Sequence, residues 1–248
     1  MVYKQMVKKM GTTKPNEKQI RAMFSNIAER YDLLNHIFSL GIDFYWWQYM
    51  AKTSGAAPGR RFLDVAAGTG SSSLALAKRG AEVISTDFTS TMLKLGIDKF
   101  QHQGQNCQIW AAVEANAQYL PFKANVFDGV TICYGIRNMK DRQKAYQECL
   151  RVLKPNGYLT ILEFSKPNYQ WLRIIYYIYI RHILPKVGGW ISGAQEAYLY
   201  LYKSIRDFPD QKTLAKELSD ANFVNVNWKS LTGGIVAIHT AQKPVCKI

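Results

Sequence analysis

This sequence predicts an α/β fold built on a mostly parallel sheet, and three observations carry that reading. From Arg61 onward, short apolar strands alternate with helical stretches, the rhythm of βαβ units. The first of these strands runs into a glycine loop around Gly68 and Gly70. The last two strands are joined only by Thr232-Gly233-Gly234, a connection too short for anything but antiparallel neighbours.

Taken in order, the chain begins with helical spacing from Asn16 to about Lys52, where Ile20, Phe24, Ile27 and Tyr31 recur three and four residues apart. Gly41 and Ile42 interrupt it, and an aromatic cluster follows at Phe44, Tyr45, Trp46 and Trp47. Pro58-Gly59 breaks the pattern. Arg61 to Ala66 then reads as a strand and Ser71 to Lys78 as a helix. Glu82 to Thr86 is a second strand ending at Asp87, before a helix from Ser90 to Phe100. Gln108 to Val113 and Phe127 to Tyr134 are the third and fourth strands. A helix from Asp141 to Leu153 stops at Lys154-Pro155, and Tyr158 to Phe164 is the fifth strand. After a helix at Asp210 to Ala221, strands at Phe223 to Leu231 and Ile235 to Ala241 close the sheet. Five parallel strands closed by an antiparallel pair is the Rossmann-like, seven-stranded order of a class I S-adenosylmethionine-dependent methyltransferase. The reading is one domain over residues 16–248, with N-terminal helices at 16–57, a helical insertion at 168–208 and a flexible segment at 1–15.

Composition agrees with a folded enzyme. The chain has 248 residues, 48% of them hydrophobic, enough for a sizeable core and too many for a disordered chain. Neither a secretory h-region nor a transit-peptide composition is visible at the start, which predicts a cytoplasmic location. Cys107, Cys133, Cys149 and Cys246 form no CxxC pair and no metal-ligand spacing, so they read as reduced, mostly buried thiols, and no metal is expected. Lys and Arg number 32 against 18 acids, a net charge of +14. That balance suits nucleic acid, an anionic lipid surface or plain solubility, and charge alone does not rank the three.

The glycine loop reads Leu63-Asp64-Val65-Ala66-Ala67-Gly68-Thr69-Gly70-Ser71-Ser72-Ser73. A dinucleotide-binding loop wants a third glycine where Ser73 stands, and an acid at Asp64 is atypical for nicotinamide binding. Glycines at 68 and 70 allow close backbone approach, and the helix N-terminus behind them suits the carboxylate of S-adenosylmethionine. Asp87, at the end of the second strand, is placed to accept hydrogen bonds from both ribose hydroxyls. Its structural alternative is a helix cap, for which Thr89 and Ser90 are also placed. Asn116-Ala117 follows the third strand, where an amide can read the adenine edge.

Three stretches together resemble the ubiquinone/menaquinone-biosynthesis C-methyltransferase family, the UbiE type. They are Tyr31-Asp32-Leu33-Leu34-Asn35 running on to Asp43 and Trp46, Asn116 to Phe122 with Gly135-Ile136-Arg137-Asn138, and Arg151 to Gly157 leading to Leu162-Glu163-Phe164-Ser165-Lys166-Pro167. A similar tail follows at Ser204 to Arg206, Pro209 to Gln211 and Leu231 to Ala237, so the resemblance covers about residues 16 to 243. It implies methylation of a membrane quinol, with Thr69, Asp87, Asn116 and Ala117 touching the cofactor and Cys133 near it. The full set of candidate cofactor contacts is Asp64, Ala66, Gly68, Thr69, Gly70, Asp87, Phe88, Asn116, Ala117 and Cys133. A homodimer is also the family tendency. Two positions depart from the pattern: Asp43 stands where members usually carry histidine, and Asn156 replaces a glycine at a turn that tolerates left-handed backbone.

Ring-carbon methylation needs a phenolate-like ring and a methyl sulfonium held in line. The resemblance makes Arg137 and Asn138 the catalytic pair. Arginine keeps its proton, so Arg137 is expected to stabilise the phenolate electrostatically, against the alternative of a surface pair with Asp141. Asp43 and Tyr31 are candidates for base or substrate anchor. Asp43 equally suits the cap of a helix from Phe44, and Tyr31 equally suits packing with Phe24 and Ile27. The four histidines carry no catalytic expectation. Trp171 to Leu184 mixes aromatics and isoleucines with Arg173 and Arg181, and Lys186 lies just beyond. It is too short to span a bilayer but suits its interface, so a lid over the quinol, resting on anionic lipid, is expected beside the alternatives of a core helix or dimer seam. Rival readings are a phospholipid N-methyltransferase, an RNA methyltransferase lacking the usual Pro-Pro loop after strand four, a non-catalytic binding protein, and a nicotinamide oxidoreductase.

Overall fold

The structure is a computed structural model, and it describes residues 16–102, 109–192 and 195–245. The segment expected to be flexible, and Cys107 and Cys246, lie outside those residues. The strands are β1 (Arg61–Val65), β2 (Glu82–Asp87), β3 (Ile109–Glu114), β4 (Phe127–Cys133), β5 (Leu153–Phe164), β6 (Val224–Leu231) and β7 (Val236–Gln242). They form one sheet in the order β3-β2-β1-β4-β5-β7-β6, with β7 antiparallel to both β5 and β6. The chain order reverses between β1 and β4, and open α/β sheets bind ligands at the carboxyl ends of the strands at such a reversal.

Helices cover both faces. Alternation along the strands sends Leu63, Val65, Leu159 and Ile161 to one core, shared with α5 (Arg142–Val152) and α9 (Gln211–Asp220). Arg142 ties those two helices together by two hydrogen bonds to Glu217, at 2.9 and 2.6 Å. Phe62, Val83, Leu162 and Ile238 face the other way, against α2 (Ile42–Thr53) and α3 (Ser71–Ala77). Helix α4 (Ser90–Gln101) buries Met92 and Leu93.

The first helix, α1 (Glu17–Phe38), opens on a capping box. Asn16 Oδ1 accepts the Gln19 N–H at 2.9 Å, and Gln19 Oε1 accepts the Asn16 N–H at 2.8 Å. Between β5 and α9 lie α6 (Gln170–Ile178), a π-helical segment (Tyr179–Ile183), α7 (Leu184–Ser192) and α8 (Gln195–Asp207). With α1 these form a helical cap whose own core is Leu34, Tyr176, Ile180, Leu184, Tyr198 and Ile205.

Two boundaries differ from the sequence reading for identifiable reasons. Helix α2 starts at Ile42, because left-handed Gly41 at φ 78° supplies its N-cap. Asp43 therefore lies inside the first turn and does not cap a helix from Phe44. Strand β5 begins at Leu153, since the Lys154-Pro155 stretch continues into the sheet; Asn156 there adopts φ 63°.

Gly129 on β4 is set by packing. A Cβ there would stand 2.2 Å from the ring of Phe62, which is fully buried on β1. Gly129→Ala is expected to cost about 1–3 kcal/mol by overpacking, seen as a fall in the thermal midpoint. Trimming the ring as well, in Gly129→Ala/Phe62→Leu, should recover part of that loss.

Candidate functional site: two cavities at the sheet reversal

Two cavities open at the carboxyl ends of the central strands. The smaller is a cleft at the ends of β1 to β4, lined by Ala66, Gly68, Asp87, Phe88, Asn116, Ala117 and Cys133 among the expected cofactor contacts. Asp87 is its anchor. Its Oδ2 accepts the Gly68 N–H at 3.0 Å and its Oδ1 the Thr89 N–H at 2.8 Å, so one carboxylate holds the glycine loop and the start of α4 together. Burial raises its pKa, opposed by the N–H groups of Thr89 and Gly68. Thr89 occupies the N-cap position of α4 without a side-chain cap bond. Asn116 Oδ1 accepts from the backbone and side chain of Gln118, at 2.9 and 3.2 Å.

Three expected contacts stand behind this lining. Asp64 has no exposed surface, and its carboxylate accepts the hydroxyls of Ser72, Ser73 and Thr131 at 2.6, 2.6 and 2.8 Å. Thr69 donates to Asp32 of α1 at 2.5 Å, and Lys99 bridges Asp32 and Ser71 at 2.6 and 3.0 Å. Gly70, at φ 76°, begins α3, and a Cβ there would meet Phe100 at 2.2 Å. These residues set the shape of the loop from below. Glu17, Phe24 and Tyr31 of α1 close over the cleft and leave about 80 Å³ free, so a nucleoside-sized ligand requires α1 to yield.

The larger cavity holds about 350 Å³ between α1, α2 and the helical cap. Its walls are largely apolar and aromatic, with Asp43, Arg137, Tyr134 and Tyr31 among them. Phe24, Tyr31 and Tyr134 line both cavities, so the two share one wall. Tyr31 also packs edge-on against Phe24, with ring centroids 6.0 Å apart. Burial raises the Tyr31 pKa, with Arg137 opposing.

Arg137 lies in a 3₁₀ turn after β4, Ile136–Asn138, and is not a surface residue paired with Asp141. Its side chain is 5% exposed and Nη1 pairs at 2.8 Å with Glu163 on β5, itself 2% exposed. The same nitrogen donates to the Tyr134 carbonyl, and the guanidinium lies over the Phe164 ring. Burial works against its charge, and Glu163 together with Tyr31 and Tyr200 outweighs it, so the guanidinium pKa sits above its ordinary value. Burial pushes the Glu163 carboxyl up, and Arg137 opposes it. Asn138 lines the smaller cleft and accepts the Tyr200 hydroxyl of α8 at 2.9 Å. Sequence reasoning assigned no role to Glu163, Tyr134 or Tyr200. An acid ending the strand beside Arg137 was a signal for the first; nothing in the sequence pointed to Tyr200.

Removing the counter-charge leaves a buried guanidinium alone. Glu163→Ala should destabilise the fold by about 3–5 kcal/mol, and Glu163→Ala/Arg137→Met should recover much of it, both read by denaturant unfolding.

Comparisons with known proteins bear on both cavities. The Pectobacterium atrosepticum ubiquinone/menaquinone biosynthesis C-methyltransferase UbiE is 42% identical over 237 residues, 94% of each chain. A demethylmenaquinone methyltransferase of Mycolicibacterium paratuberculosis is 40% identical over 229 residues, 92% of this chain and 96% of its own. Among solved structures, a SAM-dependent methyltransferase of Thermotoga maritima has a TM-score of 0.65 at 16% identity, over 90% of this chain and 98% of that one, which establishes the shared fold. Residues 12–243 match the ubiE/COQ5 methyltransferase family. Because that match takes in every strand of the sheet and the walls of both cavities, the chain belongs to the ubiE/COQ5 methyltransferase family.

Proposed function

We propose that the protein methylates a ring carbon of a polyprenyl quinol, demethylmenaquinol or its ubiquinone-pathway counterpart, with S-adenosylmethionine as methyl donor. The observation that carries this reading is the shared wall. A cleft of polar strand ends meets a large apolar cavity at Tyr31 and Tyr134, which is where a methyl group would pass from one ligand to the other. The volume and apolar walls of the larger cavity suit a lipophilic ring.

The cofactor supplies a methyl group on a sulfonium. Asp87 keeps lone pairs for the ribose hydroxyls, and Gly68 lets the backbone come close without a Cβ. Both lone pairs of the Asn116 amide oxygen are taken by Gln118, which leaves its N–H bonds for an acceptor nitrogen on the adenine edge. Ala66, Phe88, Ala117 and Cys133 supply the remaining walls, while Asp64, Thr69 and Gly70 act by fixing the loop. Arg137 faces the larger cavity with Nε unpaired, and stabilises negative charge on the ring oxygen as the carbon becomes nucleophilic. Asn138, fixed by Tyr200, and Tyr31 orient the two ligands at their junction.

The same cap provides a membrane-facing surface. Among the described residues no helix is long and apolar enough to cross a membrane. Leu172, Tyr176 and Ile180 line the cavity, while Trp171 at 62% and Trp190 at 88% exposure, with Ile174 and Ile178, face outward. Apolar side chains on both faces, with Arg173, Arg181 and Lys186 among them, suit a helix lying in an anionic lipid interface above the quinol's entry.

Three outcomes are expected. Labelled S-adenosylmethionine should pass its methyl to a short-tailed demethylmenaquinol and not to phosphatidylethanolamine vesicles; label on the lipid instead would assign an N-methyltransferase. In the same preparation Asp87→Ala should weaken cofactor binding about 10- to 100-fold. The protein should also float with anionic vesicles and lose that property in Trp171→Ala/Trp190→Ala. A dimer in solution with no vesicle binding would assign this face to a second copy of the chain.

A further inference from the structure

Asp43 is buried in the wall of the large apolar cavity, at 3% exposure, with only part of its carboxylate satisfied. Its Oδ1 accepts the Phe44 N–H at 2.9 Å and meets His36 Nδ1 at 3.0 Å. Its Oδ2 is buried and has no hydrogen-bond partner among the described residues. A buried carboxylate oxygen left without a donor is costly and calls for a ligand that supplies one. The surroundings narrow the choice. Asp43 sits in the first turn of α2, where the helix dipole favours negative charge, and its backbone N–H donates to Ser39 Oγ at 3.3 Å. Tyr134, also with an unpaired hydroxyl, feels the Asp43 charge from the end of β4. His36, on α1, is 61% exposed and reaches Asp43 from the solvent side.

We propose that Asp43 is the proton acceptor for the substrate's ring hydroxyl, and that His36 is a positioning residue that turns Oδ2 into the cavity. This rests on the quinol reading above. With the His36 Nδ1–H and the Phe44 N–H both on Oδ1, rotation of the carboxylate is blocked and Oδ2 is left as its free acceptor. The hydroxyl proton passes to Oδ2 as the ring carbon bonds to the methyl. The methyl–sulfur bond breaks, and its electron pair stays on sulfur. The ring is then a neutral ketone whose methylated carbon still bears its hydrogen. Loss of that hydrogen to water, with return of the Asp43 proton to the oxygen, restores the aromatic quinol and releases one proton per turnover. Arg137 provides the complementary charge to this step: it stabilises the oxygen while Asp43 removes and returns the proton.

The test uses the full-length enzyme with labelled cofactor and a short-tailed demethylmenaquinol. Asp43→Asn should lower kcat by about 100-fold or more, as general bases do, with cofactor affinity unchanged. His36→Ala should lower kcat about 10-fold. His36→Asn, whose amide N–H can replace the imidazole Nδ1–H, should recover most of that loss. A near-normal kcat in Asp43→Asn, or a rise in KM alone, overturns the proton-acceptor role. Equal activity in His36→Ala and His36→Asn overturns the positioning role. If Asp43→Asn fails to bind cofactor because it has not folded, the two His36 variants decide. A wild-type enzyme that leaves the quinol unlabelled removes the quinol reading itself, which separates that failure from failure of the Asp43 assignment.

Discussion

Asp64 reaches no solvent, and the glycine loop is built on top of it. Taking a carboxylate out of water costs several kcal/mol unless its lone pairs are filled. Here Ser72 and Ser73 of α3 fill one oxygen and Thr131 of β4 the other. Ser85 of β2 extends the network by donating to Ser73 at 2.7 Å. Three elements are thereby locked to β1 at its carboxyl end, and the loop from Ala66 to Gly70 has one available path. This explains why Ser73 stands where a dinucleotide loop carries glycine. In this fold the position holds up a buried acid, and a glycine would leave that acid one donor short. The cleft inherits its shape from that network, because Gly68, held by Asp87, is the next point at which the loop is fixed.

A second buried charge governs the substrate side. Arg137, in the turn that follows β4, meets Glu163 near the end of the adjacent strand β5. A buried ion pair contributes little net stability over an apolar pair of the same size. What it gives this site is a guanidinium whose desolvation is complete before any ligand arrives. It need not reorganise when charge develops on a bound ring, which is the condition for effective electrostatic stabilisation. The apolar walls of the larger cavity strengthen this, because a field acts further in low dielectric.

How much of this was legible in the sequence follows from the range of each interaction. The strands and their alternation with helices were readable because period-2 and period-3.6 patterns are local. Asp87, Gly68 and Asn116 were readable as strand-end residues from the same local patterns, and the structure places all three in the lining of the smaller cleft. The tertiary contacts of α1 were not. Its apolar stripe shows that it packs, but not that it crosses the glycine loop, so Thr69 was expected to face the cofactor and instead bonds Asp32. Asn138 was legible as a residue, but its partner Tyr200 lies 62 positions on, in a helix that the sequence showed only as part of an insertion. His36 and Asp43 are close in sequence, yet their pairing depends on the left-handed Leu40 and Gly41 that turn α1 into α2.

The meeting of the two cavities depends on backbone that most residues avoid. Ala66, just past β1, and Tyr134, just past β4, both adopt φ 56°. Left-handed conformations cost a non-glycine residue roughly 1–2 kcal/mol each, and they persist only where the surroundings enforce them. Here the reason is geometric. The two strand ends must turn away from each other at the reversal, and the turns come so close that a Cβ on Gly135 would stand 2.5 Å from that of Ala66. Turning Tyr134 this way lays its ring against Phe164, with centroids 4.7 Å apart, and leaves its hydroxyl among the residues of the substrate wall. The strain at the two strand ends thus has a structural return: one aromatic residue bounds the smaller cleft on one side and the larger cavity on the other. Neither cavity could be reshaped at Tyr134 without changing its neighbour.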